Sequence, residues 1–143
     1  MAVRTAIVDG ELDTAGLIKW AKTPKAGAIV FFGGTTRDNC DDKTVVSLAY
    51  EAYIPRAEKT LREIALKASE MPGVHNVAIE HRIGTVPVCE ESVAIVVATS
   101  HRHQGWEAAK DVLEKVKESL EIWKREVFDD GKSQWVEGVA RKG

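Results

Sequence analysis

The chain has 143 residues, 44% of them hydrophobic, with 20 Lys and Arg set against 22 Asp and Glu for a formal net charge of −2. That length and apolar content suit one compact domain over residues 1–143 with a true core, and the mixed charges argue against disorder. The balance lacks the basic excess of a general nucleic-acid binder, no apolar run nears the roughly 20 residues of a membrane span, and the start shows no secretory apolar stretch, so a cytoplasmic protein is expected.

In chain order, residues 3–8 read as a short strand, and Asp13 or Thr14 can cap a helix through Leu17, Ile18, Trp20 and Ala21. Thr23-Pro24-Lys25 ends that helix, because proline cannot continue a helix interior. Residues 27–32 form a buried strand expected to stop at Gly33-Gly34, and 38–43 read as a polar loop. Val46, Leu48 and Tyr50 alternate with Ser47, Ala49 and Glu51, which predicts a strand over 44–53. Pro55 fits a first helical turn, and Ala57, Leu61, Ile64, Ala65 and Ala68 continue at helical spacing to the stop Met71-Pro72-Gly73.

A strand is expected over 74–83, broken at Gly84, and a doubly buried strand over 92–100. The spacing predicts a helix over 104–120, with Trp106, Ala109, Val112, Leu113 and Val116 on its apolar side. Residues 122–128 and 134–137 read as two short strands around the turn Asp129-Asp130-Gly131. Mixed strands and helices with two β-β connections make the fold class α+β rather than a doubly wound parallel sheet.

The chemistry-bearing groups concentrate in the last third. Lys117 and Lys124 are neighbours whether the helix continues, since two turns separate them, or ends near Leu120 and a turn returns Lys124 beside it. Two such amines would lower each other's pKa and could serve as acid, base or nucleophile. Spacing alone is met more simply by two solvated lysines. His101-Arg102-His103 stands where a strand passes into a helix, a place with free backbone N–H groups suited to phosphate. Capping, or packing on Trp106, explains the histidines as well.

Phe31-Phe32-Gly33-Gly34-Thr35-Thr36-Arg37 permits close backbone approach to a ligand but lacks the P-loop lysine, which rules out that ATPase class. His81 is expected to be a packed histidine paired with Glu80 or Glu51. Cys40 and Cys89 show no metal spacing, and the acidic residues around Cys40 oppose a nucleophilic thiolate, so no metal site is expected. Trp106, Trp123 and Trp135 could stack on bases, but the charge balance and an expected apolar setting argue against it.

Five segments in order then carry a resemblance: Phe32-Gly33-Gly34-Thr35-Thr36-Arg37, Leu48-Ala49-Tyr50-Glu51-Ala52-Tyr53, His81-Arg82-Ile83-Gly84, Thr99-Ser100-His101-Arg102 and Ile122-Trp123-Lys124-Arg125-Glu126. Over residues 26–138 the chain resembles the large, catalytic subunit family of molybdopterin synthase. The resemblance implies an α/β hammerhead fold with an additional antiparallel sheet. It also implies a sulfurtransferase that converts cyclic pyranopterin monophosphate into the molybdopterin dithiolene and needs no cofactor of its own. Sulfur would arrive as a thiocarboxylate at the C-terminus of a small ubiquitin-like subunit, in a 2:2 heterotetramer built on a homodimer of large subunits.

By position, the resemblance makes Lys117 and Lys124 the catalytic pair and assigns substrate binding to both of them with Arg37, His101, Arg102 and the aromatic wall residue Phe32. Cys40 and Cys89 would be bystanders, because the partner supplies the sulfur. Thr35 departs from some bacterial relatives, which carry lysine there. The alternative function is a non-catalytic module that binds a ubiquitin-like tail or a phosphorylated small ligand.

Overall fold

The computed structural model describes residues 2–136. Eight strands and three helices follow in the order β1 (Ala2–Asp9), α1 (Thr14–Ala21), β2 (Ala28–Thr35), β3 (Asn39–Cys40), β4 (Lys43–Ala52), α2 (Ile54–Ser69), β5 (Val74–Pro87), β6 (Glu91–Thr99), α3 (Arg102–Ser119), β7 (Ile122–Phe128) and β8 (Ser133–Trp135). The α+β class is as expected, with an antiparallel sheet added to a main one.

β5 joins the two parts. Its first ten residues run between β1, in parallel register, and β6, which pairs antiparallel with β2 on its other side. At Gly84 the backbone takes φ +84, which a side chain would resist, and the strand turns out of that sheet. Its last four residues instead pair with β4, which carries β7 and then β8. The expected break at Gly84 is therefore a bend inside one long strand.

Alternation along the buried strands makes two cores. Val77 and Ile79 of β5 and Val93, Ile95 and Val97 of β6 face Leu61, Ile64, Val112 and Val116 of α2 and α3. Ala78, Ala94, Val96 and Ala98 turn the other way, onto Leu12, Leu17 and Ala21 around α1. Small residues on that second face let the short α1 lie close. Fully burying a side chain such as Leu61 contributes roughly 2–3 kcal/mol, and the strands without covering helices lack that support.

The helix boundaries have local causes. Asp13 caps α1 by accepting the Gly16 N–H at 3.0 Å, and Pro55 lies in the first turn of α2, where a missing N–H costs nothing. α3 starts two residues earlier than the periodicity predicts. His101 is its cap, with its N–H bonded to Gln104 Oε1 at 3.1 Å. Gly105 lets this turn sit on β2, because a Cβ there would meet Val30 Cγ2 at 2.7 Å.

Other expectations need correction. β2 runs through the glycine pair, with Gly33 opposite Ala94 and Gly34 opposite Val93. The polar segment 38–43 contains a tight hairpin, β3 pairing with the start of β4. Val46 is 45% exposed and Val45 is buried instead, because a bulge between Val45 and Ser47 shifts the alternation. The last strand is Ser133–Trp135, and Glu137 lies outside the described residues.

Candidate active site

The bend in β5 leaves a cleft between the main sheet, the end of α3 and the β4–β7 pair. It holds a cavity of about 340 Å³ lined by Arg37, Cys40, Tyr50, His81, Lys117, Lys124 and Glu126, with Leu48, Val116 and Ile122 among its apolar walls. Cavities of this size suit a small organic ligand rather than a polymer.

Each cation has a structural reason for its place. Lys117 is in the last turn of α3, which its inward neighbours Val112 and Val116 hold against the core. The chain turns at Leu120 and Glu121, and Glu121 is anchored by the Thr60 hydroxyl at 2.8 Å. β7 then starts at Ile122, so Lys124 comes back beside the helix end. Of the two sequence readings, the tight return is the observed one. Cross-strand pairing sets Lys124 opposite Tyr50 and Glu126 opposite Leu48, so all four project from one face into the cavity.

Arg37 follows a locked residue. Thr36 is buried, its N–H donates to the Glu90 carbonyl at 3.1 Å, its carbonyl accepts the Cys89 N–H at 3.0 Å, and its hydroxyl donates to the Val86 carbonyl at 3.3 Å. The turn that holds it is pinned in turn by Arg82, which bonds Glu90 Oε1 at 2.7 Å and the Thr85 carbonyl at 3.0 Å. Three cations, Arg37, Lys117 and Lys124, thus meet one carboxylate, Glu126, in a cleft of a chain that is acidic overall. Low-dielectric walls focus such a field on an incoming anion.

The floor contains neutral groups, His81 and Tyr50, whose place on a cavity the sequence does not announce. His81 is only 7% exposed, and its ring meets the Tyr50 ring edge-on with centroids 5.1 Å apart. Its partner is neither Glu80 nor Glu51, because Nδ1 bonds the Arg82 carbonyl at 2.9 Å. Glu80 instead faces Arg4 at 3.6 Å. Burial drives the His81 pKa from 6.5 to about 4; the Arg82 hydrogen bond opposes this, and the charges of Lys124 and Lys117 add to it. Burial also pushes the Tyr50 phenol above its ordinary 10.0, partly offset by the Ser92 hydroxyl.

The remaining residues singled out from sequence lie elsewhere in this chain. His101 and Arg102 are exposed at the start of α3, and Arg102 is fifteen residues before Lys117 and so about 22 Å away along the helix. Phe32 is half-buried on β2, packed against the core rather than on the cavity wall. His101 stacks on His103 with centroids 6.1 Å apart, not on Trp106. Trp106, Trp123 and Trp135 are 63%, 52% and 53% exposed, so their expected apolar setting is wrong and the charge balance alone stands against base stacking. Cys40, expected to be a bystander, is part of the cavity wall.

An α+β scaffold with a cation-lined cleft at a bent strand has the charge and size to suit a small anionic ligand. A family model described as MoaE protein matches residues 7–119, and the chain belongs to that family. A protein of Aspergillus fumigatus named molybdopterin synthase catalytic subunit is 45% identical over 124 residues, covering 87% of this chain. The chain spans 66% of that relative's length. A crystal structure of molybdopterin synthase from Staphylococcus aureus superposes with a TM-score of 0.85 at 34% identity, over 91% of this chain and 94% of that one. A molybdopterin biosynthesis MoaE protein from Burkholderia ambifaria does so with a TM-score of 0.80 at 30% identity, over 99% and 93%.

Proposed function

We propose that this chain is the catalytic large subunit of a molybdopterin synthase, a sulfurtransferase acting on cyclic pyranopterin monophosphate. The observation that carries this reading is the meeting of Lys117, Lys124 and Arg37 in one cavity. The name shared by its relatives, catalytic subunit, describes one part of an assembly. In keeping with that name, the partner here is a small ubiquitin-like subunit whose C-terminal thiocarboxylate enters the cleft. Cys40 and Cys89, neither of them in a disulfide, suit a reducing cytoplasm.

The roles follow from charge and position. Arg37 holds the substrate phosphate through paired charge-assisted N–H bonds. Lys117 and Lys124 flank the reacting carbons and act as the acid and base of cyclic-phosphate opening, loss of water and hydrolysis of the thioester that joins substrate to partner. In that hydrolysis water takes the acyl carbon and the sulfur stays on the substrate.

His101 and Arg102 join the site from a second copy. Their distance from Lys117 within one chain is too long for a shared small ligand, and both are exposed at the head of α3. Two-fold pairing would complete two equivalent pockets, each built from both copies. Phe32, on the strand beneath that helix head, belongs to the same surface.

Arg37→Ala is expected to weaken the phosphorylated substrate by about 2–3 kcal/mol, the usual worth of a charge-assisted bond to phosphate. Titration of cyclic pyranopterin monophosphate and of its dephosphorylated analogue into both proteins checks this. Equal loss for the two ligands would remove Arg37 from the phosphate site.

A further inference from the structure

A pocket of cations explains how an anion is held but not how the rest of the ligand is recognised. His81 is one of the polar groups of this cavity that the mechanism above does not use, beside Tyr50, Ser92 and Glu126. It reaches the cavity from β5, at the point where that strand leaves the main sheet.

Its hydrogen-bonding state follows from elementary bookkeeping. The Arg82 carbonyl can only accept, so the 2.9 Å bond fixes the proton on Nδ1. A neutral imidazole with its proton on Nδ1 leaves Nε2 with a lone pair and no hydrogen. No partner for Nε2 exists among the described residues. The ring cannot turn to satisfy it elsewhere, because Tyr50 packs edge-on against it and Nδ1 is held. His81 lines the cavity, so a ligand bound there can supply the missing donor.

The surroundings keep this state. The titratable and charged neighbours on the cavity are Tyr50 from β4, Lys117 from α3, Lys124 and Glu126 from β7, Cys40 from β3 and Arg37. Two of these cations act directly on the ring and oppose a further positive charge. The site therefore combines three donors for an anion with one fixed neutral acceptor.

We propose that His81 Nε2 accepts a hydrogen bond from a ring N–H or hydroxyl donor on the non-phosphate part of the substrate, and so sets which phosphorylated heterocycle the pocket takes. This rests on the reading that the ligand is a phosphorylated pterin, which offers several such donors. His81 is here a specificity residue, distinct from the lysines that move protons. A phosphorylated ligand lacking a donor at that position would bind as a bare anion.

The test is equilibrium titration of the full-length chain, with folding followed by thermal melting. Wild type, His81→Phe and His81→Gln are each titrated with cyclic pyranopterin monophosphate and with sulfate, an anion carrying no donor at neutral pH. Phe keeps the edge-on packing without the acceptor, and Gln places an amide oxygen near the position of Nε2. The expected result is a loss of about tenfold in pterin affinity for His81→Phe, recovery to within about threefold for His81→Gln, and unchanged sulfate affinity throughout. Unaltered pterin binding by His81→Phe overturns the proposal, as does equal weakening of pterin and sulfate, which would mark a disturbed pocket. Sulfate binding with no pterin binding by wild type sinks the substrate reading itself, and the assignment of His81 with it.

Discussion

Lys117→Ala is expected to abolish product formation, lowering turnover by at least about 10³-fold, the scale set by losing a positioned proton-transfer group. The side chain is exposed at the end of α3, and the helix is held by Val112 and Val116 rather than by the lysine. Removing it should therefore leave the melting temperature and the binding of the small subunit unchanged. Lys117→Arg separates charge from proton transfer: an arginine still attracts the phosphate but does not give up a proton near neutral pH. Substrate affinity close to wild type with turnover still lost is the expected result for that variant. As a control, Lys115→Ala breaks only the surface pair with Asp111, and it should change nothing measurable. Normal turnover by Lys117→Ala would take the residue out of the mechanism.

The second large effect concerns the division of the site between two copies. Lys117→Ala and Arg102→Ala should each be inactive alone, because each damages every pocket of its homodimer. After unfolding or subunit exchange, an equal mixture should recover about a quarter of wild-type activity. Half of the dimers are then mixed, and each mixed dimer has one intact pocket and one doubly damaged pocket. Activity in the mixture is the signature of shared pockets, read by the same product assay after exchange is verified by mass spectrometry. A mixture as inactive as its parents would mean that Arg102 and Lys117 of one copy serve the same pocket, against their separation along α3.

Much of the scaffold was legible because its signals are local. Apolar spacing marks α2 and α3, Asp13 and Pro55 mark helix starts, and the buried run at β6 marks a central strand. Lys117 and Lys124 could be foreseen as neighbours because only a short turn separates them. The misses are those where tertiary structure decides. β5 continues through Gly84 because β4 offers a second pairing edge, which no residue of β5 announces. The bulge at Val45 reverses the faces of Val45 and Val46 without any glycine or proline to signal it. Trp106 sits at an apolar helical position yet faces solvent.

The floor of the site was the least visible part. Tyr50 and Glu126 share a face with Lys124 through the β4–β7 register, and strand alternation in both segments held that information once their pairing was known. His81 is the packed histidine its strand position predicts, but its partner is the backbone of its own neighbour rather than a carboxylate. Only the bend in β5 shows that the ring also borders a cavity. Glycine at 84, directly after His81-Arg82-Ile83, was the one available hint.

The measurement that bears most directly on the account is reconstitution of the reaction. This chain, a thiocarboxylated small subunit and cyclic pyranopterin monophosphate are combined, and the pterin is followed by mass spectrometry. The account predicts stepwise gain of two sulfurs to the dithiolene, with matching loss of sulfur from the partner's C-terminus. A folded chain that binds the partner and the pterin yet transfers no sulfur would contradict it, and would leave a non-catalytic module for a ubiquitin-like tail and a phosphorylated ligand.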